Sequence, residues 1–201
     1  MSENQPVAGK RDLGACFAEL ARGLAFRNAI IGEPAGEAIA YVQPLLDVIR
    51  LFEELGIKYA IVGGIAATYY GGKRFSEGPD FVIASEDSQV LERKGEVMRR
   101  HRFALSNESE LRHASGVEGK LWIDGHADEV VERACVRRIA GRLIRVADVH
   151  DLIAMQLRAD RVQDDYDISE ILKKTAVDDE VVRARVTTEQ FGHYLAVKQR
   201  I

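Results

Sequence analysis

The stretch YAIVGGIAATYYGGKRFSEGPDFVIA, residues 59–84, decides how the chain is read. With Lys58 it opens on a short β-rich run, KYAIV, after which Gly63 and Gly64 make a turn. IAATYY fits a short helix closed by Gly71 and Gly72, and DFVIA is the next strand. Paired glycines between a strand and a helix let the backbone approach a ligand closely and aim helix N-terminal amides at it, which suits phosphate. They also serve as a plain tight turn. Asp80 is the residue that needs a reason, because a carboxylate opening an otherwise apolar strand is costly unless a metal, a cation or water satisfies it.

Upstream, residues 1–10 read as a disordered lead, and Leu13, Phe17, Leu20 and Leu24 place an apolar stripe on one helix face. A break at GEPAGE precedes a second helix, expected to begin after Pro44, with Leu45, Ile49, Phe52 and Leu55 inward and Gly56 at its end. Downstream, SEDSQVLERKGEVMRRH reads as one helix with Ser85 as its N-cap. FALS, GKLWID and the pair RRIAG and RLIRV read as strands, the last two joined by a glycine turn. From Asp148 onward VHDLIAMQLRADR, YDISEILKKT and TEQFGHYLAVKQ are helical. The sum is an α/β chain, a mixed sheet with helices gathered at both ends. Its expected divisions are a lead and helical appendage over 1–43, a core over 44–147 and a C-terminal helical segment over 148–201.

The 201 residues are 46% hydrophobic and 30% charged, as in soluble globular domains. A net charge of −4 excludes a generally basic nucleic-acid binder. RKGEVMRRHR and RRIAGRLIR concentrate cations locally, a pattern that solvent-facing helices also show. Cys16 and Cys135 lie too far apart in sequence for a redox or metal motif, and read as buried free thiols of a reducing compartment. With neither a signal-like run nor a bilayer-length apolar run, the expectation is a cytoplasmic protein with no membrane role.

Taken in order, VGGIAATYYGGKRFSEGPDFVIA resembles the signature of the DNA polymerase β-like nucleotidyltransferase superfamily. That signature is an apolar strand, Gly-Gly or Gly-Ser, a short helix, Gly, Arg with Thr or Ser, then two aspartates one residue apart. The nearest branch is the AbiEii-like one, which includes toxins of toxin–antitoxin pairs. LWID is similar to the strand bearing that superfamily's third carboxylate, at Asp124, and RVADVHDLIAMQLRADRVQDDYDISEIL resembles a downstream block, at Asp151, Leu152, Arg161, Asp164 and Asp167. The resemblance implies a nucleotidyltransferase fold over residues 45 to 172. It also implies transfer of a nucleoside monophosphate from a nucleoside triphosphate to a protein or RNA hydroxyl. Gly63, Gly64, Lys73, Arg74 and Ser76 would contact the nucleotide, and Asp80 and Asp124 would hold magnesium and act in catalysis. Magnesium suits such a site because it prefers oxygen ligands shared between carboxylates and phosphates. An antitoxin-like protein is the further partner implied.

The chain departs from the signature in two places. Counted from Arg74, the first aspartate's position holds Gly78 and the second's Asp80, with Pro79 between them. Gln156 stands where relatives carry lysine. Glu77 is the acid placed to complete the ligand set, and Gly78→Asp is the substitution that would restore it. Two readings therefore stand, a magnesium-dependent enzyme and a degenerate module that binds nucleotide or a protein without turnover. Elsewhere, DGHAD, with Asp124, His126 and Asp128, reads as a strand end or a mononuclear metal site, Trp122 as core packing, and Asp164, Asp165 and Asp167 as acids favoured at a helix start. No serine or cysteine is paired with histidine in a nucleophile motif.

Overall fold

The computed structural model describes residues 38–72, 78–107, 109–139 and 142–201. The expected helix over Leu13–Leu24, Cys16, and the loop carrying Lys73, Arg74, Ser76 and Glu77 lie outside these residues. Labels below run in chain order over the described segments.

Helix α1 spans Ala38–Leu55 and contains Pro44. The sequence placed its start after that proline. Proline costs a helix interior one N–H bond and a steric clash with the preceding turn, and here the helix runs through it. Buried Val42, Leu45, Val48, Ile49 and Phe52 supply a continuous apolar face that sets against this cost. Phe52 meets Phe81 edge to face at 5.2 Å and Tyr59 at 5.4 Å, which fixes α1 on strands β1 (Tyr59–Val62) and β2 (Asp80–Ile83).

The sheet order is β3-β4-β5-β2-β1-β7-β6. Strands β3 (Phe103–Asn107), β4 (Glu110–His113) and β5 (Glu118–Trp122) form an antiparallel meander, whose β5 runs parallel to β2. β1 and β2 are antiparallel, and β1 runs parallel to β7 (Arg142–Val146), which pairs with β6 (Cys135–Ile139). The mixed sheet, its flanking helices and the helical C-terminus bear out the expected α/β fold. β1, β2 and the β6–β7 pair fall where the sequence puts them.

Helix α2 (Gly63–Tyr69) follows β1 directly. The segment expected as one helix from Ser85 is instead a 3₁₀ turn, Ser85–Asp87, then α3 (Ser88–Arg93) and α4 (Gly95–Arg100). Lys94 leaves the helical region at φ −115°, ψ 34° just before Gly95, a weak helix former. Ala84, not Ser85, holds the N-cap position of this turn, and the Ser85 N–H donates to Asp128 at 2.8 Å, so Ser85 is not the expected N-cap. Helix α5 (Ala127–Arg133) is absent from the sequence reading. Helices α6 (Val149–Ala159), α7 (Val162–Leu172), α8 (Asp179–Arg183) and α9 (Thr188–Lys198) complete the chain. Asp148 and Thr187 cap α6 and α9 by accepting from the N–H groups of His150 and Gln190. Among the described residues no helix is long and apolar enough to cross a membrane. Cys135 is half-buried rather than fully buried, with its thiol 3.6 Å from the Arg133 carbonyl.

Candidate functional site

The β-ladder sets the site's geometry. Asp80 pairs with Val62 across β1 and β2, and with Lys120 across β2 and β5, while Val82 pairs with Trp122. Paired residues share a face and alternate ones repeat it, so Asp80 and Trp122 stand on the same side. There they line a cavity of about 220 Å³ together with Gly63, Asp124, Gln156, Arg158 and Arg161. The two aspartates and the first glycine singled out in the sequence thus meet at one place. Gly64 is buried in the first turn of α2, beside them. Trp122, expected as core, is half-buried and forms part of the wall.

Asp124 is not on a strand, because β5 ends at Trp122. Its carboxylate accepts from the His126 N–H at 2.8 Å, and its carbonyl accepts from the Ala127 N–H at 3.0 Å, so it also organises the entry into α5. One carboxylate serves two tasks. The companion side chains of DGHAD are engaged elsewhere: Asp128 accepts from the Ser85 N–H at 2.8 Å, and His126 lines a different cavity. Among the described residues no three histidine, cysteine or acidic side chains are grouped to hold a metal, so the mononuclear site considered from DGHAD is not formed.

Gly63 has φ +60°, and a Cβ placed on it would overlap the Asp80 carboxylate. Glycine is required there for both conformation and space. Gly63→Ala is expected to destabilise the protein by about 1–2 kcal/mol from the left-handed backbone alone, and to displace Asp80 from the cavity. Thermal unfolding reads the first effect, and loss of any ligand affinity carried by Asp80 reads the second.

A second close approach lies at the position counted as the missing aspartate. A Cβ on Gly78 would overlap the carbonyl oxygen of Glu118, and one on Gly119 would stand 2.6 Å from the carbonyl oxygen of Pro79. The backbones of residues 78–79 and 118–119 press together where β2 meets β5. No side chain fits at Gly78 in this arrangement, so the expected restoration by Gly78→Asp is sterically closed.

Helices α6 and α7 supply the cations. Arg161 is held by buried Asp164 through two bonds, Nε to Oδ2 at 2.8 Å and Nη2 to Oδ1 at 3.0 Å. Those bonds hold its proton more firmly than usual. Asp164, Asp167 and Glu170 are all buried, three residues apart along α7, which goes beyond the dipole role expected for acids at a helix start. Gln156 is buried between α6 and α7 with its Nε2 3.5 Å from Asp167. Arg158 was not singled out in the sequence. Burial lowers its pKa, against the opposing pull of Asp124, Asp151 and Glu129. Its only signal was its place three residues before Arg161.

Asp151, matched in the downstream block, is a structural hub. Arg133 grips it with Nε at 2.9 Å and Nη2 at 2.8 Å, and Arg185 Nη1 lies 3.0 Å away. Arg185 Nη1 also donates to Asp148 at 2.8 Å. Burial opposes the charge on Asp148, but bonds from His150 and Arg185 prevail and hold its carboxyl below the usual aspartate range. This network joins α5, α6 and the chain between α8 and α9.

The fold itself has solved counterparts. A crystal structure of an antigenic nucleotidyltransferase-like protein from Paracoccidioides brasiliensis is similar with a TM-score of 0.53 and 17% identity, covering 79% of this chain and 88% of that one. The chain therefore has a nucleotidyltransferase-like fold. A lincosamide antibiotic adenylyltransferase, LnuA, in its lincomycin-bound form, gives a TM-score of 0.49 at 16% identity, covering 66% and 97%. The antibiotic-resistance factor ANT(2'')-Ia gives 0.49 at 14%, covering 80% and 92%. No protein-family model matches the chain, and no curated protein matches it.

Proposed function

We propose that the cavity between β2, β5 and α6 binds a nucleoside triphosphate with magnesium, and that the protein transfers the nucleoside monophosphate to an acceptor hydroxyl. The observation that carries this reading is the meeting of Asp80, Asp124 and Gly63 on one cavity wall in a nucleotidyltransferase-like fold. Two carboxylates fit one magnesium, which is ordinarily held by one or two carboxylates, water and substrate phosphates. When bound, the ion would offset charge on the phosphates and polarise the α-phosphorus.

The chain's own groups then have defined tasks. Gly63, lacking a side chain, leaves the room in which the Asp80 carboxylate sits at the β1–α2 junction. Arg161, fixed by Asp164, offers its remaining guanidinium hydrogens to phosphate oxygens, and Arg158 adds positive charge to the cavity. The acceptor oxygen bonds to the α-phosphorus while the bond to the α,β-bridging oxygen breaks. Pyrophosphate leaves with the electron pair. The hydroxyl proton passes to Asp124, which is exposed, and on to water.

A second reading, nucleotide binding without turnover, is favoured by Gly78, which leaves the first-aspartate position without a ligand. Label transfer separates the two. Incubation with triphosphates labelled at the α-phosphorus and a cell extract as acceptor source should label a product with the natural protein and none with Asp80→Ala. Undiminished labelling by Asp80→Ala contradicts the assignment of the site, and no labelling by the natural protein favours the second reading.

A further inference from the structure

Behind the proposed nucleotide cavity lies another, of about 620 Å³, between α5, α6 and the start of α9. Arg158 lines both. The second cavity's charged walls are Arg133, Arg158 and Arg185 against Glu129 and Asp151, an excess of one positive charge. The other two arginines are committed: Arg133 to Asp151 and Glu129, and Arg185 to Asp148 and Asp151. Arg158 makes one long bond, from Nη1 to the Arg185 carbonyl at 3.4 Å, and among the described residues no carboxylate lies within 4.0 Å of it. Asp124, Asp151 and Glu129 support the charge of this half-buried guanidinium from beyond ion-pair distance, and its contact position is left for an anion.

The opposite wall is built to supply donors. Thr187 and Gln190 line it at the N-terminus of α9, a helix of 11 residues. Their capping box uses the Gln190 Oε1 and N–H and the acceptor capacity of Thr187 Oγ1. The Gln190 amide hydrogens and the Thr187 hydroxyl hydrogen remain available, next to the positive end of the helix dipole.

We propose that this second cavity is an oxyanion subsite that takes a carboxylate or phosphate group of the acceptor, held between Arg158 and the start of α9. Its size is that of a small-ligand pocket, so the acceptor it fits is a small acidic molecule rather than the protein or RNA implied by family resemblance. The acceptor role rests on the nucleotidyl-transfer reading. Oxyanion binding does not.

The test is calorimetric titration of the full chain with inorganic phosphate and, separately, malonate, each alone and in saturating ATP with magnesium. At least one of the two should bind both without and with ATP, and the one preferred identifies a phosphate or a carboxylate as the recognised group. Gln190→Glu keeps the capping box but places a carboxylate in the cavity, and should weaken the anion at least tenfold while leaving ATP binding unchanged. Arg158→Gln, checked for native thermal unfolding, should weaken it similarly. Absence of binding by both probes, displacement by ATP, or full binding by Gln190→Glu overturns the subsite. Failure of ATP to bind, with anion binding intact, overturns the nucleotide reading alone.

Discussion

Gly78→Asp should lower stability by about 3 kcal/mol, the upper end of what overpacking costs, and should not create a magnesium site. In sequence terms the substitution supplies the missing carboxylate of a known signature. In the structure the new Cβ would lie on the Glu118 carbonyl oxygen, and this obstacle is backbone, held in register by the pairing of β2 with β5. The strands must part before any carboxylate can be placed. Urea unfolding of Gly78→Asp and Gly78→Ala should show a shared fall in midpoint with little change in slope. The alanine variant isolates the steric effect from the charge. A neutral Gly78→Ala with a destabilised Gly78→Asp would show that charge, not contact, is responsible.

Asp151→Ala should cost about 3 kcal/mol, the lower end for removing one partner of a buried ion pair. Asp151 is 2% exposed and neutralises two arginines at once. Arg133 and Arg185 meet on the same Asp151 oxygen, so its loss leaves two adjoining guanidiniums with only Glu129 and Asp148 as partners. The partial exposure of Arg133 lets water recover some of the loss, which sets the estimate at the low end. Arg133→Met should be milder, because Asp151 keeps Arg185. Denaturant midpoints for the two variants check the order, and a larger loss for Arg133→Met would show that packing of the arginine stem outweighs its charge.

What could be read from the sequence follows from how local each signal was. β1, α2 and β2 were legible because apolar runs there are bounded by glycines, and the C-terminal helices because their apolar spacing persists over two or three turns. β4 was not: Glu-Leu-Arg-His has no β-rich composition, and it is a strand because Leu111 and His113 point inward between β3 and β5. His113 is buried with Nε2 3.2 Å from Asp47, a tertiary partner 66 residues away. α5 was missed because Ala-Asp-Glu-Val-Val-Glu-Arg is under two turns long, and its start is organised by Asp124, which the sequence reads as the end of a strand and a ligand. Pro44 misled in the other direction, since a breaker by propensity was overridden by a buried face.

At the site, the convergence of Asp80, Asp124 and Gly63 was legible from motif order. The role of Arg158 was not, because it lies in lining two cavities whose walls come from segments far apart in the chain. Nor was the tight contact of residues 78–79 with 118–119, which only the strand register brings together.

In the proposed function Asp80 and Asp124 hold a magnesium–nucleotide complex. Titrating ATP and GTP into the natural protein with magnesium and again with EDTA tests it most directly. At least one nucleotide should bind, with affinity that weakens at least tenfold in EDTA and is lost in Asp80→Ala. Equal affinity with and without magnesium, or binding that survives Asp80→Ala, would contradict it.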